Sequence, residues 1–130
     1  GKEITVGVLE IAKDVKPHPV IEVVTPENQW YDYTNRYGEN LSKHIIPALL
    51  PEELSAHLQE LALSAHRALG LRDLSRADFI VNEDEEIILL EVNTLPGMTK
   101  TSLYPDGARF LGYEFPALIE LLVIQAYNRK

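Results

Sequence analysis

Residues 77–102, ADFIVNEDEEIILLEVNTLPGMTKTS, contain two apolar runs joined by a polar segment. The second run, IILLEV at 87–92, has the composition of a strand, and Glu91 interrupts it two residues before Asn93. The segment NEDEE at 82–86 is polar throughout and suits a turn. The stretch therefore predicts an antiparallel β-hairpin.

The predicted hairpin gathers four polar side chains on one face. Because side chains alternate along a strand, Glu91 and Asn93 share a face, while Leu90 points to the other. If the hairpin folds symmetrically about its loop, Asp78 lies opposite Glu91 and Arg76 lies opposite Asn93. Two carboxylates, an amide and a guanidinium then converge.

This group of side chains has the chemistry of a metal–phosphate site. Magnesium takes oxygen ligands, usually one or two carboxylates, with substrate phosphates completing the shell. The hairpin therefore predicts Asp78, Glu91 and Asn93 as metal ligands. A solvated hairpin face is the alternative, because a register shift of one or two residues would separate the three side chains.

The segments upstream predict two more strands and a long loop. Residues 3–11 (EITVGVLEI) alternate as a strand, and residues 20–24 (VIEVV) can pair with them. The polar, proline-containing segment 13–19 (KDVKPHP) suits a connecting loop. Residues 25–48 have no sustained periodicity, and a connection of that length is usually a lid or a binding loop. We therefore expect this loop to be functional.

Two helices complete the predicted fold. Residues 51–69 carry apolar side chains at spacings of three and four, namely Leu54, Leu58, Leu61, Ala65 and Leu69. Pro51 suits the first helical position, and Gly70 suits the residue beyond the end. Residues 115–126 predict a closing helix. Helices packed on a mainly antiparallel sheet give an α+β fold class.

The composition is that of an ordinary globular chain. At 130 residues, with 45% hydrophobic and 25% charged residues, it fits one domain with a substantial core. The net charge of -8 argues against nucleic acid or an anionic membrane as a partner. Cysteine is absent, which excludes disulfides and zinc–thiolate sites and fits a cytoplasmic location. No apolar run approaches the length of a membrane span.

The four histidines show no spacing typical of metal ligands or catalytic groups. His57 and His66 are nine residues apart on the predicted helix and therefore face roughly opposite sides. His18 and His44 stand in predicted loops. We expect all four to be structural.

Four motifs, in this order, resemble the D-alanine:D-alanine ligase family of ATP-grasp enzymes. They are EITVGVL at 3–9, YDYTNRY at 31–37, RADF at 76–79 and EVNTLPGMTKTSL at 91–103. The last is the most specific, and together the motifs cover nearly the whole chain. The resemblance implies that residues 1–130 are the C-terminal ATP-grasp catalytic segment of such a ligase, with the 25–48 loop as a mobile lid.

The resemblance also implies that a larger part of the enzyme lies upstream of Gly1. The family's N-terminal domain, adenine-binding hinge and glycine-rich phosphate loop have no counterpart in these 130 residues. Neither G-x-G-x-x-G nor G-x-x-x-x-G-K-[ST] occurs, and the only methionine is Met98. We therefore expect the chain alone to be inactive.

By resemblance, the parent enzyme joins two D-alanines with ATP hydrolysis through a D-alanyl phosphate, for peptidoglycan precursor synthesis. Two Mg²⁺ (or Mn²⁺) ions per active site would be held by Asp78, Glu91 and Asn93, with Glu91 touching both. ATP and D-alanine are the implied partners, and a homodimer of the full-length parent is compatible with the family.

The resemblance assigns roles in the second half of the reaction as well. Arg76 and the backbone amide of Gly97 would face the oxyanion of the tetrahedral intermediate, and arginine suits this role because it stays charged. The Ser102 hydroxyl and the Leu103 amide would hold the carboxylate of the second D-alanine. The alternatives are a salt bridge from Arg76 to Asp78, an ordinary Pro-Gly turn and a helix N-cap at Ser102.

Three further residues receive roles from the resemblance. Glu3 would contact the ribose hydroxyls of ATP, and its alternative is an exposed strand residue. Tyr37 would belong to the loop that closes over the site. Arg36 stands where the family usually has a lysine that contacts the γ-phosphate, so charge is kept and shape is not.

Two other functions stay open. One is a sibling ligase that makes D-alanyl-D-lactate or D-alanyl-D-serine, although Tyr37 favours the dipeptide former by family association. The other is a non-catalytic ATP-grasp module that serves folding or interaction.

Overall fold

The computed structural model describes residues 1–25 and 43–129. In these ranges the chain forms six strands and three helices. The strands are β1 (Lys2–Ile11), β2 (Asp14–Pro17), β3 (Ile21–Val24), β4 (Lys43–Ile45), β5 (Leu74–Val81) and β6 (Ile87–Asn93); the helices are α1 (Glu52–Ala68), α2 (Leu103–Phe110) and α3 (Phe115–Asn128). The predicted α+β class is confirmed.

The six strands form one antiparallel sheet in the order β4-β3-β1-β5-β6, with β2 also paired to β1. The long strand β1 organises the sheet. Its N-terminal half pairs with β3 and its C-terminal half with β2, while its other edge pairs with β5 along most of its length. The predicted pairing of residues 3–11 with 20–24 is therefore confirmed.

Strand β2 corrects the prediction of a loop at residues 13–19. The strand pairs with β1 from Val8↔Pro17 to Ile11↔Asp14, so only Ala12 and Lys13 form the turn. Both turn residues have positive φ, 50° and 72°. Two-residue hairpin turns with this geometry usually carry Asn-Gly, and Ala-Lys gives no such signal. The short edge strand also tolerates a terminal proline.

Strand β4 corrects the C-terminal end of the loop predicted at 25–48. It pairs with β3 from Glu22↔Ile45 to Val24↔Lys43. A strand of three residues is too short to show a period of two, so the sequence did not predict it. The remainder of that loop prediction, residues 26–42, lies outside the described residues.

Helix α1 confirms the predicted helix, with a different buried face. The buried side chains are Leu54, Leu58, Ala62 and His66, at a spacing of four, while Leu69 is 59% exposed. Pro51 occupies the N-cap position, one residue earlier than predicted. Gly70 follows the C-cap with φ of +65°, a conformation that glycine adopts at little cost.

Helices cover both faces of the sheet and create two hydrophobic clusters. On one face, α1 packs on a cluster that includes Ile4, Val6, Val8, Ala77, Phe79 and Val81. On the other face, Leu9 packs with Tyr104, Ala108 and Leu118 from α2 and α3. The second cluster covers only one end of its face, so the sheet beyond it carries the polar residues of the hairpin.

Among the described residues, no single helix is long and apolar enough to cross a membrane. The pair α2 and α3, bent by 98°, meets the criterion only when the two helices are taken together, and then by length and composition alone.

Candidate active site

The hairpin β5–β6 has the predicted register. Asp78 pairs with Glu91, and Arg76 pairs with Asn93. A β-bulge lies beside the first pair, because Phe79 pairs with Leu89 and leaves Leu90 as an extra residue. Leu90 consequently lines the cleft beside Glu91, which corrects its predicted location on the opposite face.

Arg76 and Asp78 form a bidentate ion pair. The Arg76 Nε and Nη2 atoms lie 2.9 Å from the two Asp78 carboxylate oxygens. The side chains are 16% and 18% exposed, so the pair is largely removed from solvent. The two charges strengthen their hydrogen bonds, and the planar guanidinium matches the carboxylate. The salt-bridge alternative for Arg76 is therefore present in the structure.

Thr5 is a site residue that the sequence reasoning missed. Its hydroxyl donates to Asp78 Oδ1 at 2.7 Å, and the residue is 2% exposed. Thr5 lies directly opposite Asp78 in the β1–β5 pairing. The Asp78 carboxylate is thus held by Thr5 from the neighbouring strand β1 and by Arg76 from its own strand β5. The period of two in β1 puts Thr5 on the same face as Glu3, and this signal was available in the sequence.

These side chains line an open cleft of about 430 Å³ on the sheet. Its lining residues are Glu3, Ile4, Thr5, Val23, Arg76, Asp78, Leu90, Glu91 and Leu103. The structure therefore brings five of the residues predicted from sequence, from four separate segments of chain, to one cavity. The cleft contains three carboxylates and one guanidinium, so its formal charge is negative.

Glu3 lies at the edge of this cleft on β1, where it pairs with Ile80 of β5 and Val23 of β3. Partial burial raises the pKa of the Glu3 carboxyl, and the Asp78 carboxylate raises it further, while Arg76 opposes the shift. Glu3 still keeps an exposed part of its surface, as the alternative of an exposed strand residue required. Its location beside Asp78 also leaves it able to contact a ligand in the cleft.

The turn before α2 brings Gly97 and Ser102 together. A Cβ atom added at Gly97 would lie 3.2 Å from the Ser102 hydroxyl. That hydroxyl accepts a hydrogen bond from the Thr99 amide at 3.0 Å and lies 2.7 Å from the Thr99 hydroxyl. Ser102 is the N-cap residue of α2, but its side chain makes no capping bond. Leu103, the first helical residue, contributes to the cleft.

Asn93 ends β6 and starts the turn that leads to Gly97. Its Oδ1 accepts a hydrogen bond from the Leu95 amide at 2.9 Å, which is an Asx turn. Opposite Asn93, the Arg76 guanidinium lies on the same face.

The donor chemistry at this end of the hairpin fits a hard divalent cation. Asp78 and Glu91 are adjacent carboxylates, and Asn93 adds an amide oxygen two residues from Glu91. Asp78 Oδ1 already accepts from Thr5 and from Arg76 Nε, whereas Oδ2 accepts only from Arg76 Nη2 and keeps a lone pair for a cation. Within residues 1–25 and 43–129, no three His, Cys, Asp or Glu side chains cluster as a metal site. The set therefore depends on the asparagine.

Tyr37 and Arg36, predicted for the closing loop, lie outside the described residues.

His66 forms a buried network that resembles a catalytic triad in outline. Its Nδ1 lies 2.8 Å from the Ser75 hydroxyl, and its Nε2 lies 2.9 Å from the Glu10 carboxylate. Ser75 and His66 are each 1% exposed, so no substrate reaches the hydroxyl. The network instead ties α1 to β1 and β5, as expected for a structural histidine.

Comparison with known proteins agrees with this geometry. A sequence profile described as the D-ala D-ala ligase C-terminus matches residues 1–124. The chain belongs to this family. The resemblance inferred from its four motifs is therefore confirmed.

Two curated relatives, both named D-alanine--D-alanine ligase, come from Halalkalibacterium halodurans and Nitratidesulfovibrio vulgaris. They are 46% and 47% identical to this chain over 95% of its length. The chain spans 40% and 39% of the length of these relatives.

Solved structures of two ligases share the fold. The D-alanine--D-alanine ligase from Bacillus anthracis complexed with ATP matches with a TM-score of 0.75 at 25% identity, over 98% of this chain and 38% of that one. The VanG D-Ala:D-Ser ligase from Enterococcus faecalis matches with a TM-score of 0.75 at 32% identity, over 95% of this chain and 35% of that one. The ATP-grasp fold expected from the sequence is therefore confirmed.

Proposed function

We propose that this chain is the C-terminal catalytic segment of an ATP-dependent D-alanine:D-alanine ligase. The observation that carries the proposal is the hairpin register, in which Asp78 lies opposite Glu91 with Arg76 on the same face. Family membership supplies the reaction class. The cleft supplies charged groups of the types that phosphoryl transfer and acyl transfer require.

The first step is the transfer of the γ-phosphoryl group of ATP to the carboxylate of one D-alanine. It forms D-alanyl phosphate and ADP. The three carboxylates of the cleft would repel a triphosphate, which argues for cations between them. Asp78, Glu91 and Asn93 would hold two Mg²⁺ (or Mn²⁺) ions, which when bound neutralise charge on the β- and γ-phosphates. Glu3 would bind the ribose hydroxyls.

The second step is attack by the amine of the second D-alanine on the acyl carbon. The tetrahedral intermediate collapses with loss of phosphate, and the attacking nitrogen gives up a proton. Arg76 uses Nε and Nη2 for Asp78 and keeps other N–H donors, which can face the oxyanion together with the Gly97 amide. The bidentate ion pair fixes the guanidinium before substrate arrives.

The acceptor site lies at the start of α2. The N-terminus of a helix favours a carboxylate, because its first amides lack partners and the helix dipole is positive there. The Ser102 side chain does not cap α2, so its hydroxyl and the Leu103 amide can bind the carboxylate of the second D-alanine. The Thr99 amide orients that hydroxyl.

Tyr37 and Arg36 would belong to the lid over this site, with Arg36 on the γ-phosphate. We place the enzyme in the cytoplasm and in peptidoglycan precursor synthesis, because ATP and the dipeptide product belong there by family. A homodimer of the full-length parent enzyme would be compatible with this proposal.

A D-Ala:D-Ser ligase is the second candidate, favoured by the fold match and 32% identity to the VanG enzyme. The curated D-alanine--D-alanine ligases are more similar in sequence, at 46% and 47%.

Product analysis tests the proposal. A ligase carrying this segment with the upstream part that its relatives have is incubated with ATP, Mg²⁺ and D-alanine. We expect D-alanyl-D-alanine with one ADP and one phosphate for each dipeptide, and little mixed product when D-serine or D-lactate competes. The 130-residue chain serves as the control and should show no turnover. Absence of dipeptide from the longer enzyme, or a preference for D-serine, would contradict the proposal.

A further inference from the structure

The segment Pro17, His18 and Pro19 contains a buried histidine that the reaction does not use. His18 is 0% exposed, and neither ring nitrogen has a hydrogen-bond partner among the described residues. Buried polar atoms are nearly always paired, so an unpaired imidazole calls for a reason. A leucine would fill similar space without two unsatisfied nitrogens.

The His18 ring fills the gap between the sheet and α2. A Cβ atom added to Gly7 of β1 would lie 2.3 Å from His18 Nδ1, and one added to Gly107 of α2 would lie 2.7 Å from it. Real Cβ atoms do not approach other atoms so closely. The Tyr104 ring of α2 lies against the imidazole with centroids 4.5 Å apart. Two glycines therefore let both backbones close onto one planar ring.

The backbone of His18 is held by β1 and α1. The His18 amide donates to the Gly7 carbonyl at 2.8 Å, and Gln59 Nε2 of α1 donates to the His18 carbonyl at 2.8 Å. Prolines on both sides fix φ at residues 17 and 19. The imidazole is thus a fixed spacer on which α2 rests.

Two further contacts hold α2 to strands of the sheet. The Tyr104 hydroxyl donates to the Val8 carbonyl at 2.8 Å, and His44 Nδ1 of β4 lies 2.5 Å from Asp106 Oδ2. These two polar contacts tie α2 to β1 and β4. His18 differs because it occupies the space between the two backbones and so sets how closely they approach.

We propose that His18 is a positioning residue, which fixes the spacing of α2 against the sheet and so holds Ser102 and Leu103 in register with Arg76 and Asp78. Tyr104, which packs on His18, directly follows Leu103 in the chain. The inference rests on the proposed function for the acceptor site. His18 contacts no substrate and acts through α2 alone.

A double-substitution experiment in the longer ligase tests this role. Gly107→Ala pushes α2 away from the ring and should raise KM for the second D-alanine about ten- to a hundredfold, with KM for ATP changed less than about twofold. His18→Ala should also raise the acceptor KM, because α2 loses its support. The combined variant should bind the acceptor better than Gly107→Ala alone, because the ring that the new methyl group meets is gone. If Gly107→Ala does not fold, recovery of folding in the combined variant is the expected result.

Val6→Ala is the matched control. Val6 is buried on the α1 face of the same strand as Gly7, so its substitution should lower stability without changing the acceptor KM. If Val6→Ala raises the acceptor KM as His18→Ala does, the effect follows general destabilisation and the positioning role is wrong. Additive losses in the combined variant would also contradict it.

Hydrogen–deuterium exchange on the same enzymes without substrate separates this inference from the proposed function. His18→Ala should speed exchange at residues 102–108 while β5 and β6 stay protected. Unchanged exchange in α2 would overturn the positioning role whatever the activity. Absence of D-alanyl-D-alanine from the unsubstituted enzyme would instead overturn the proposed function.

Discussion

The two faces of the sheet are built from the same strands and differ in almost every property. Along β5, Ala77, Phe79 and Val81 are buried against the α1 face, while Arg76 and Asp78, which alternate with them, line the cleft. In β1 the alternation continues, because Val6 packs in the α1 cluster while Thr5 bonds Asp78. The α1 face is apolar along these strands, whereas the other face carries the charged groups beside the smaller cluster of Leu9, Tyr104, Ala108 and Leu118.

The apolar face explains why the charged side chains of the cleft face can lie close to one another. The strands that carry them are anchored on the opposite face, where Ala77, Phe79 and Val81 of β5 are buried and Ile87 and Val92 of β6 are partly buried. Asp78 accepts three hydrogen bonds from Thr5 and Arg76, so its orientation is set before any ligand arrives. Such preorganisation on rigid elements is what a site for transition-state charge requires.

The largest expected effect is loss of stability on the α1 face. Phe79 is 1% exposed, and Phe79→Ala should lower the free energy of unfolding by about 3 to 5 kcal/mol. Ile80→Ala is the matched control, because the neighbouring residue is half-buried on the cleft side and should cost clearly less. Denaturant titration of both variants measures the difference. Equal losses would mean that the two faces do not differ in the way described.

A smaller effect is expected at Ser102, in the proposed acceptor site. Ser102→Ala should remove a charge-assisted hydrogen bond of about 1.5 to 3 kcal/mol and weaken the second D-alanine site about ten- to a hundredfold. The first D-alanine site and ATP should be nearly unaffected. Steady-state kinetics that resolve the two D-alanine constants provide the measurement.

Thr99→Val is the control for Ser102→Ala, because it removes the hydroxyl that bonds Ser102 and leaves the Ser102 side chain in place. It should change the acceptor constant less than Ser102→Ala does. Lost stability with an unchanged acceptor constant in Ser102→Ala would refute the substrate role.

The most gradual expected effect is a pH dependence of stability from His18, which is small just below pH 6.5 and grows as the pH falls. Burial lowers the pKa of His18 from 6.5 to about 3. Between these values the folded state binds fewer protons than the unfolded state, so stability falls as pH drops from 6.5 towards 3. One proton gives a slope of at most about 1.4 kcal/mol per pH unit. Unfolding measured across this range should show a flatter acid limb in His18→Leu. An equally steep limb would mean that His18 is not a buried neutral ring.

The hairpin and its site could be predicted from sequence because two strand-like runs flank one polar turn between Arg76 and Asn93. The predicted pairs Asp78–Glu91 and Arg76–Asn93 are both observed, but strict symmetry about residues 82–86 would place Asp78 opposite Leu90, and the β-bulge supplies the one-residue shift. The β-bulge at Leu90 could not be predicted, because a single extra residue leaves no mark in an apolar run. Family motifs added Glu3, Ser102 and Leu103, and the cleft contains two of these, Glu3 and Leu103.

Three other features of the fold were not predicted from the sequence. Strand β2 exists because β1 offers a partner, since its turn residues Ala12 and Lys13 predict nothing of the kind. His66 is buried because Ser75 and Glu10 satisfy it from distant segments. His18 lies in a loop, and the local sequence does not show that its side chain is buried between the sheet and α2. The partners of the two histidines lie on other elements, so no local pattern reveals them, whereas β2 pairs locally and was missed because its turn lacks the usual residues.

Turnover of Glu91→Gln measured beside its thermal unfolding tests the central claim most directly. The amide keeps the shape of Glu91 and removes the charge that the proposed metal ligand needs. In the longer ligase, we predict that D-alanyl-D-alanine formation falls to background at saturating Mg²⁺ while the unfolding temperature is unchanged. Glu83→Gln, which removes the same charge from the loop of the same hairpin, should retain activity. Near-normal turnover in Glu91→Gln would contradict the account and leave Glu91 as an ordinary hairpin residue.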